Sequence, residues 1–593
     1  MANGCNQNPI GACSEAEGIN TTANGTASHA EGMNTIANGT ASHAEGSTTT
    51  AGGNATHTEG YDTETTADTA HAEGSTTIAS GVASHAEGYQ TTAIANTSHA
   101  EGSETIATGN SSHAEGFRTA ATADTAHAEG STTTASGVAS HAEGFKTNAI
   151  GAQSHAEGNN TIAAGANSHT EGLNTQTTIS GVNAHAEGEG NTASGRASHA
   201  EGGGVDQMGN PAPTLASGDG AHAEGIGTTA SGPGAHAEGF QTSASGPGAH
   251  AEGFQTSASN PAAHAEGIST NSNGLASHAE GVDTTANGFA AHAEGLSTNA
   301  SGDSSHAEGE GSVSSGPRSH AEGQSTTASG DASHAEGQST IADGLFSHSE
   351  GNSTTTNGFE GAHIMGLNGA VNDVDGDPIY SWNVAFGVEQ YDPTGLVGKL
   401  LNNGNMFIDG AYGTPAGDYA EMFETEDGNP IDVGYFVAAS NEDKIRKATS
   451  IDHFILGITS ATPGVLGNSG GLRWQGKYQT DEWGRKKYHD VTLPAQKDKK
   501  GNEIIPERKI KQPVLNPEWN PNQEYLSRVN RQEWVAVGII GQIRVRDDGT
   551  SETHGYCWPN DEGIATKAEK GFFVLKRTGP NQVLVLVTPL QKN

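Results

Sequence analysis

Ser28-His29-Ala30-Glu31-Gly32-Met33-Asn34-Thr35-Ile36-Ala37-Asn38-Gly39-Thr40-Ala41 is one unit of a phrase that returns every fourteen residues. The histidines mark its register: steps of fourteen from His29 to His169, His185 and His199 after two extra residues, then His222 to His348 after nine more. A fixed period of this kind identifies a stacked-repeat protein, in which each unit is one supersecondary element that leans on its neighbours.

Inside the unit, Ser28, Ala30 and Gly32 share one parity, and His29 and Glu31 share the other, which describes a short strand with two different faces. Thr35 and Ala37 continue the alternation with the phase shifted by one. Gly32 and the pair Asn38-Gly39 read as turns, where residues tolerating positive φ are needed. Two strands and two turns make a flattened β-coil. Frequent Gly, Ser and Thr, and no 3.6-residue apolar period, argue against helix. About 25 coils at ~4.8 Å each give a shaft of roughly 120 Å. The inward candidates are Ala, Gly, Ser and Thr with occasional Ile or Val, so a single narrow coil buries little apolar surface. Stability is therefore expected from backbone ladders and from other copies of the chain, as a homotrimer.

The composition changes near residue 364. Only four of the 28 basic residues (Arg118, Lys146, Arg196, Arg318) precede it, against 39 of the 69 acidic ones, so the repeats carry about −35 of the net −41. Such an acidic arm excludes nucleic acid and anionic membranes as partners. No stretch approaches ~20 apolar residues, so no membrane insertion is expected. The first ten residues show no signal peptide, so lysis or a specialised route is expected to carry the protein wherever it acts outside a cell. Three cysteines cannot build a disulfide scaffold. Cys5 and Cys13, in the leader, are candidates for a mutual disulfide or for attachment to a partner at the N-terminus.

The unit resembles the left-handed parallel β-roll of trimeric autotransporter adhesin heads, with Ser-His-Ala-Glu-Gly where those heads carry Asn-Ser-Val-Ala-Ile-Gly. That resemblance covers roughly residues 14–363 and implies a trimeric all-β shaft. Stacked His and Glu ladders then read as a polar network that fixes register, with cation binding or a pH response as the alternative, because 24 of the 27 histidines lie in the repeats. The spacing His-x-Glu alone is no metal motif, so neither metal nor cofactor is assigned. The insertion at residues 203–211 reads as a decorative bulge or, alternatively, as a place for a loop that binds a cell-surface glycan or protein receptor.

Beyond the repeats, apolar segments with Gly turns at 433–437, 455–460, 474–478 and 534–541 predict a compact, mostly-β domain. The Lys-, Pro- and Asn-rich stretch 494–524 reads as a long loop. The order of segments, which include Asp418-Tyr419-Ala420-Glu421, resembles from about residue 380 to the end the autoproteolytic intramolecular-chaperone domain of phage tail spikes of the pre-neck appendage type, and implies a place in a virion or prophage tail, or on an extracellular or spore surface. The resemblance implies trimer assembly followed by one self-cleavage at Gly417–Asp418, with Asp418 and Glu421 as the acidic pair. One carboxyl would protonate the leaving amide or attack the carbonyl while the other acts as base. Ser460 and Cys557 are alternative nucleophiles.

The expected organisation is a leader at 1–13, the β-roll shaft at 14–366, a neck at 367–417 and the chaperone domain at 418–593. The expected function is that of a structural tail fibre or adhesin whose only enzymatic act is single-turnover autoproteolysis. A non-cleaving spore-surface filament or a glycan-degrading tail spike is the alternative.

Overall fold

A computed structural model describes residues 5–472, 476–497, 501, 503–505 and 507–588. Trp474 and Gln475, within a segment expected to be strand, lie outside the described residues. The chain forms two compact units, Met1–Asp409 and Gly410–Asn593. No α-helix occurs among the described residues.

The first unit is a parallel β-solenoid of about 26 coils. Each coil contributes a longer strand such as His29–Met33 and a two-residue strand such as Ile36–Ala37. Every strand pairs in parallel with its counterpart one coil on, so that His71 faces His85, Ala72 faces Ala86 and Glu73 faces Glu87. Ser28, Ala30, Thr35 and Ala37 are fully buried and form a core too narrow for anything larger. The Ser28 hydroxyl donates to the Gly25 carbonyl at 2.8 Å, and the equivalent serine repeats this closure along the stack. The occasional Ile expected inside is turned outward instead: Ile36 and Ile106 are 37% and 42% exposed, because the phase shift gives their positions to the outer side of the short strand.

The turns are built differently from the sequence expectation. Gly32 does adopt positive φ (+111°), but the left-handed residues elsewhere in the coil are Asn34 (φ 59°) and Ala41 (φ 55°). Gly39 has no such φ; it is small because a Cβ there would lie 1.7 Å from the Gly53 carbonyl oxygen of the next coil.

Twenty-four histidines, His29 to His363, form one ladder; across most of its length neighbouring rings are parallel and 4.7–4.8 Å apart, as for His85 over His99 and His127 over His141. Burial and the neighbouring rings push members such as His99 and His278 below the usual imidazole value. The glutamates alongside do not ionise uniformly. Hydrogen bonding with its Glu143 neighbour pushes Glu129 up to about 7, while Glu143 itself is held low. The insertion at 203–211 closes on itself: the Asp206 carboxylate accepts from the backbone N–H groups of Met208 and Asn210, both at 2.8 Å. The ladder passes it undisturbed, with His199 and His222 4.9 Å apart.

The stack continues past the last repeat. His363–Ala370 pairs in parallel with Trp382–Phe386, and Trp382 takes the place of the next histidine, 4.2 Å from His363. Trp382–Phe386 then pairs antiparallel with Leu396–Leu400, which pairs antiparallel with Met406–Ile408.

The second unit is organised on a ten-stranded sheet. Its core is Phe436, Ile455, Ile458, Val545, Cys557, Phe572, Val574, Val583 and Val585. Three strands position the candidate site: β1 (Asp418–Glu424), β2 (Val465–Gly467) and β3 (Trp534–Arg546). The stretch 494–524, expected as loop, contains the strand Arg508–Pro513, paired antiparallel with Tyr488–Leu493 over six residues. Its exposed, Lys-rich side chains gave it the composition of a loop.

Candidate active site

β1 runs antiparallel to β3 on one side and parallel to β2 on the other. Asp418, Ala420 and Met422 point into the unit, and Tyr419 and Glu421 take the other face, as the two-residue period of a strand requires. The preceding residues 411–415 are exposed, and Asp418 is only 8% exposed. The Gly417–Asp418 peptide thus lies where an exposed segment enters the sheet.

The backbone is held on both sides of Asp418, through the carbonyl of the Gly417–Asp418 peptide and through that of the next one. The Gly417 carbonyl accepts from the backbone N–H of Gln542 at 3.0 Å, and the Asp418 carbonyl accepts from that of Gly464 at 2.9 Å. Gly541, at φ +112°, packs onto it so closely that a Cβ would sit 2.1 Å from the Gly417 oxygen and 2.8 Å from the Asp418 Cα. A Cβ on Gly538 would lie 3.0 Å from Asp418 Oδ2. Asp418 Oδ2 is buried and has no hydrogen-bond partner among the described residues.

On the opposite face the Tyr419 hydroxyl donates to Glu421 Oε1 at 2.8 Å, and this bond to the carboxylate raises the phenol above its ordinary value. Gly467 leaves room for the pair, since a Cβ there would meet the Tyr419 oxygen at 2.7 Å. Within one chain, therefore, Asp418 stands at the peptide bond and Glu421 faces away from it. A donor on the Gly417 carbonyl oxygen polarises the bond toward attack, and a carboxyl on the residue supplying the leaving nitrogen is within reach of that same carbonyl through a six-membered ring.

Of the alternative nucleophiles, Cys557 is fully buried, and burial with the nearby Asp547 pushes its thiol up to about 12, which disfavours the nucleophilic thiolate. Ser460 is half-buried, its backbone N–H bonded to the Ala536 carbonyl. Cys5 is half-buried and Cys13 exposed, and no disulfide joins them. Gly464, Gly538, Gly541 and Gln542 escaped the sequence reading. The only signal, and it bears on Gly538 and Gly541 alone, was glycine at two positions three apart in an apolar strand, flanking Ile539-Ile540.

Residues 370–582 match the family described as Peptidase_G2, IMC autoproteolytic cleavage domain. The YadA head domain repeat matches residues 16–42, 72–94 and 149–168. The pre-neck appendage protein of Bacillus phage B103 is 39% identical over 163 residues, 28% of this chain and 17% of that protein. The preneck appendage protein of Bacillus phage PZA is 36% identical over 163 residues, with the same coverage of both chains. A crystal structure of the C-terminal fragment of bacteriophage phi29 gene product 12 is 33% identical, covers 29% of this chain and 100% of its own, and gives a TM-score of 0.24. The chain spans about a sixth of the length of these curated relatives.

Proposed function

We propose that this chain, which joins YadA head repeats to an IMC autoproteolytic cleavage domain, is the fibre of a phage or prophage appendage, assembled as a homotrimer by its C-terminal unit. That unit then cuts the chain once, at Gly417–Asp418. The observation that carries the reading is the buried Asp418 carboxylate beside a peptide whose carbonyl already accepts the Gln542 N–H. In the reaction, Asp418 Oδ attacks the Gly417 carbonyl carbon, the Gly417 C–Asp418 N bond breaks, and a proton goes to the departing nitrogen. Water then opens the mixed anhydride, restoring the Asp418 carboxyl and leaving Gly417 as a new C-terminus. Because Glu421 faces away from Asp418 in its own chain, the acidic pair is completed between copies, and cleavage waits for assembly.

The assembly role follows from the repeats. Near-identical coils can pair one step out of phase with little penalty, and an end-piece that aligns the chains removes that error. Removing the end-piece afterwards leaves a kinetically held fibre. A non-cleaving assembly unit is the second reading, favoured by the opposite faces of Asp418 and Glu421.

Intact-mass measurement on the expressed full chain tests both. A fragment beginning at Asp418, absent in Asp418→Asn and Glu421→Gln, is expected. An uncut chain that is trimeric by light scattering favours the second reading, and a monomer overturns the trimer.

A further inference from the structure

The His–Glu column offers more than register. The His222 Nε2 lies 3.0 Å from Glu201 Oε1 of the coil before and 3.7 Å from Glu224 Oε2 of its own coil. His113 repeats this with Glu101 at 3.4 Å and Glu115 at 3.8 Å. At His113, His222 and His292 the imidazole thus stands between two carboxylates, whereas His236, His250 and His264 have only the glutamate of their own coil within 4.0 Å. Groups such as His199–Glu201–His222 and His236–Glu238–His250 keep all their ligand atoms within 4.8 Å of one another. The Nε2 atoms of His236, His250 and His264 are buried and make no hydrogen bond among the described residues.

We propose that this column binds divalent transition-metal ions of the zinc, cobalt and nickel class, each held by one His Nε2 and the two flanking Glu carboxylates. Around one such ion, at bonds of ~2.0–2.2 Å, neighbouring ligand atoms lie roughly 3.0–3.5 Å apart. The cross-coil distances at His57, His141 and His222 (3.2, 3.3 and 3.0 Å) meet that spacing already; at His236 and His250 the same-coil glutamate needs a shift of a few tenths of an ångström and the preceding one must swing in from beyond 4.0 Å. Consecutive rings such as these are 4.7–4.9 Å apart, more than two such bonds can span, so an ion belongs to one histidine and the stack is kept. A mixed nitrogen and carboxylate set without thiolate suits these borderline cations better than calcium or magnesium, which take oxygen alone. The glycine after each glutamate leaves the carboxylates open along a groove, as at Glu266-Gly267 and Glu280-Gly281. Ions in adjacent coils would stand less than 5 Å apart, so occupation of about every second coil is expected. That occupation also balances the column, since about a dozen dications neutralise its 23 ladder glutamates, one per coil from Glu31 to Glu350. The inference does not depend on whether the chain cleaves or trimerises.

Equilibrium dialysis of the chelator-treated full chain against cobalt(II) chloride, followed by elemental analysis, tests it. About ten to twelve ions per chain are expected, with a visible d–d spectrum of nitrogen and oxygen ligation and no thiolate charge-transfer band. Replacing four consecutive histidines (His236→Gln, His250→Gln, His264→Gln and His278→Gln) is expected to remove about two ions while the far-ultraviolet β signal is kept. One to three ions per chain, unchanged in that variant, would assign binding to His453, His489, His554 and the leader thiols and overturn the proposal. So would a cobalt spectrum on the unmodified chain that shows thiolate ligation alone, whatever the variant does.

Discussion

Gly541 lies against Gly417: a single methyl group on residue 541 would fall 2.1 Å from the Gly417 carbonyl oxygen. The same glycine holds φ +112°, which disfavours any L side chain. Gly541→Ala is therefore expected to destabilise the C-terminal unit by ~2–4 kcal/mol, combining backbone strain with overpacking. It also moves the peptide off the Gln542 donor, so thermal melting and fragment yield are expected to fall together. A stable, fully cleaving Gly541→Ala protein would show that the close approach has no role.

The thiols are expected to divide into two classes. Cys557 is fully buried and raised to about 12, whereas Cys13 is exposed and Cys5 half-buried. Ellman titration of the native protein should count two reactive thiols and reach three only in denaturant. Three in the folded state would contradict the packing of Phe572 and Val585 around Cys557.

Arg446 grips Asp452 with two hydrogen bonds of 2.6 and 2.8 Å and holds its carboxyl at about 2, below the ordinary 3.8. A depressed folded value means that the contribution is complete above the unfolded value, near 3.8, and is lost as the pH falls through it toward 2. With the arginine partly exposed, about 1 kcal/mol is expected from the pair. Asp452→Asn should lower the denaturation midpoint of the C-terminal unit at pH 7 and flatten its pH dependence between 4 and 2. An unchanged slope would remove the pair from the acid response.

The shaft should tolerate change outside and resist it inside. Ala237 is fully buried between Ala223 and Ala251, whereas Ile106 is 42% exposed. Ala237→Leu is expected to cost ~1–3 kcal/mol through overpacking and to speed hydrogen exchange in the adjoining coils. Ile106→Ser should stay within about 0.5 kcal/mol in a single chain. A larger loss for Ile106→Ser would place that ridge against another copy.

The period of fourteen made the coil, its strands and the His ladder legible, because stacking copies the same residue into the same environment. The left-handed position at Ala41 was not legible, since alanine has no preference for it and Thr69 and Ser111 hold it in other coils; Asn34 suits its position, but Arg118 and Lys146 take the same place elsewhere, so the residue type does not mark it along the stack. Asp418 and Glu421 were visible as a pair of acids, yet their separation of three already put them on opposite faces of any strand. Gly541 stands more than a hundred residues from the peptide it touches, and only the pairing of β1 with β3 brings it there. The strand Arg508–Pro513 was hidden because an exposed hairpin needs no apolar alternation when little of it is buried.

Trp382–Phe386 receives the parallel stack on one edge and an antiparallel hairpin strand on the other. The unpaired row of backbone groups that a parallel stack would leave at this end is thus occupied, which closes it to a second solenoid. The solenoid is then a ruler: its extent is written in the number of fourteen-residue units, and each duplication or deletion of one unit moves the two ends by ~4.8 Å without altering either. Length can evolve by recombination between near-identical repeats while the terminating strands stay as they are.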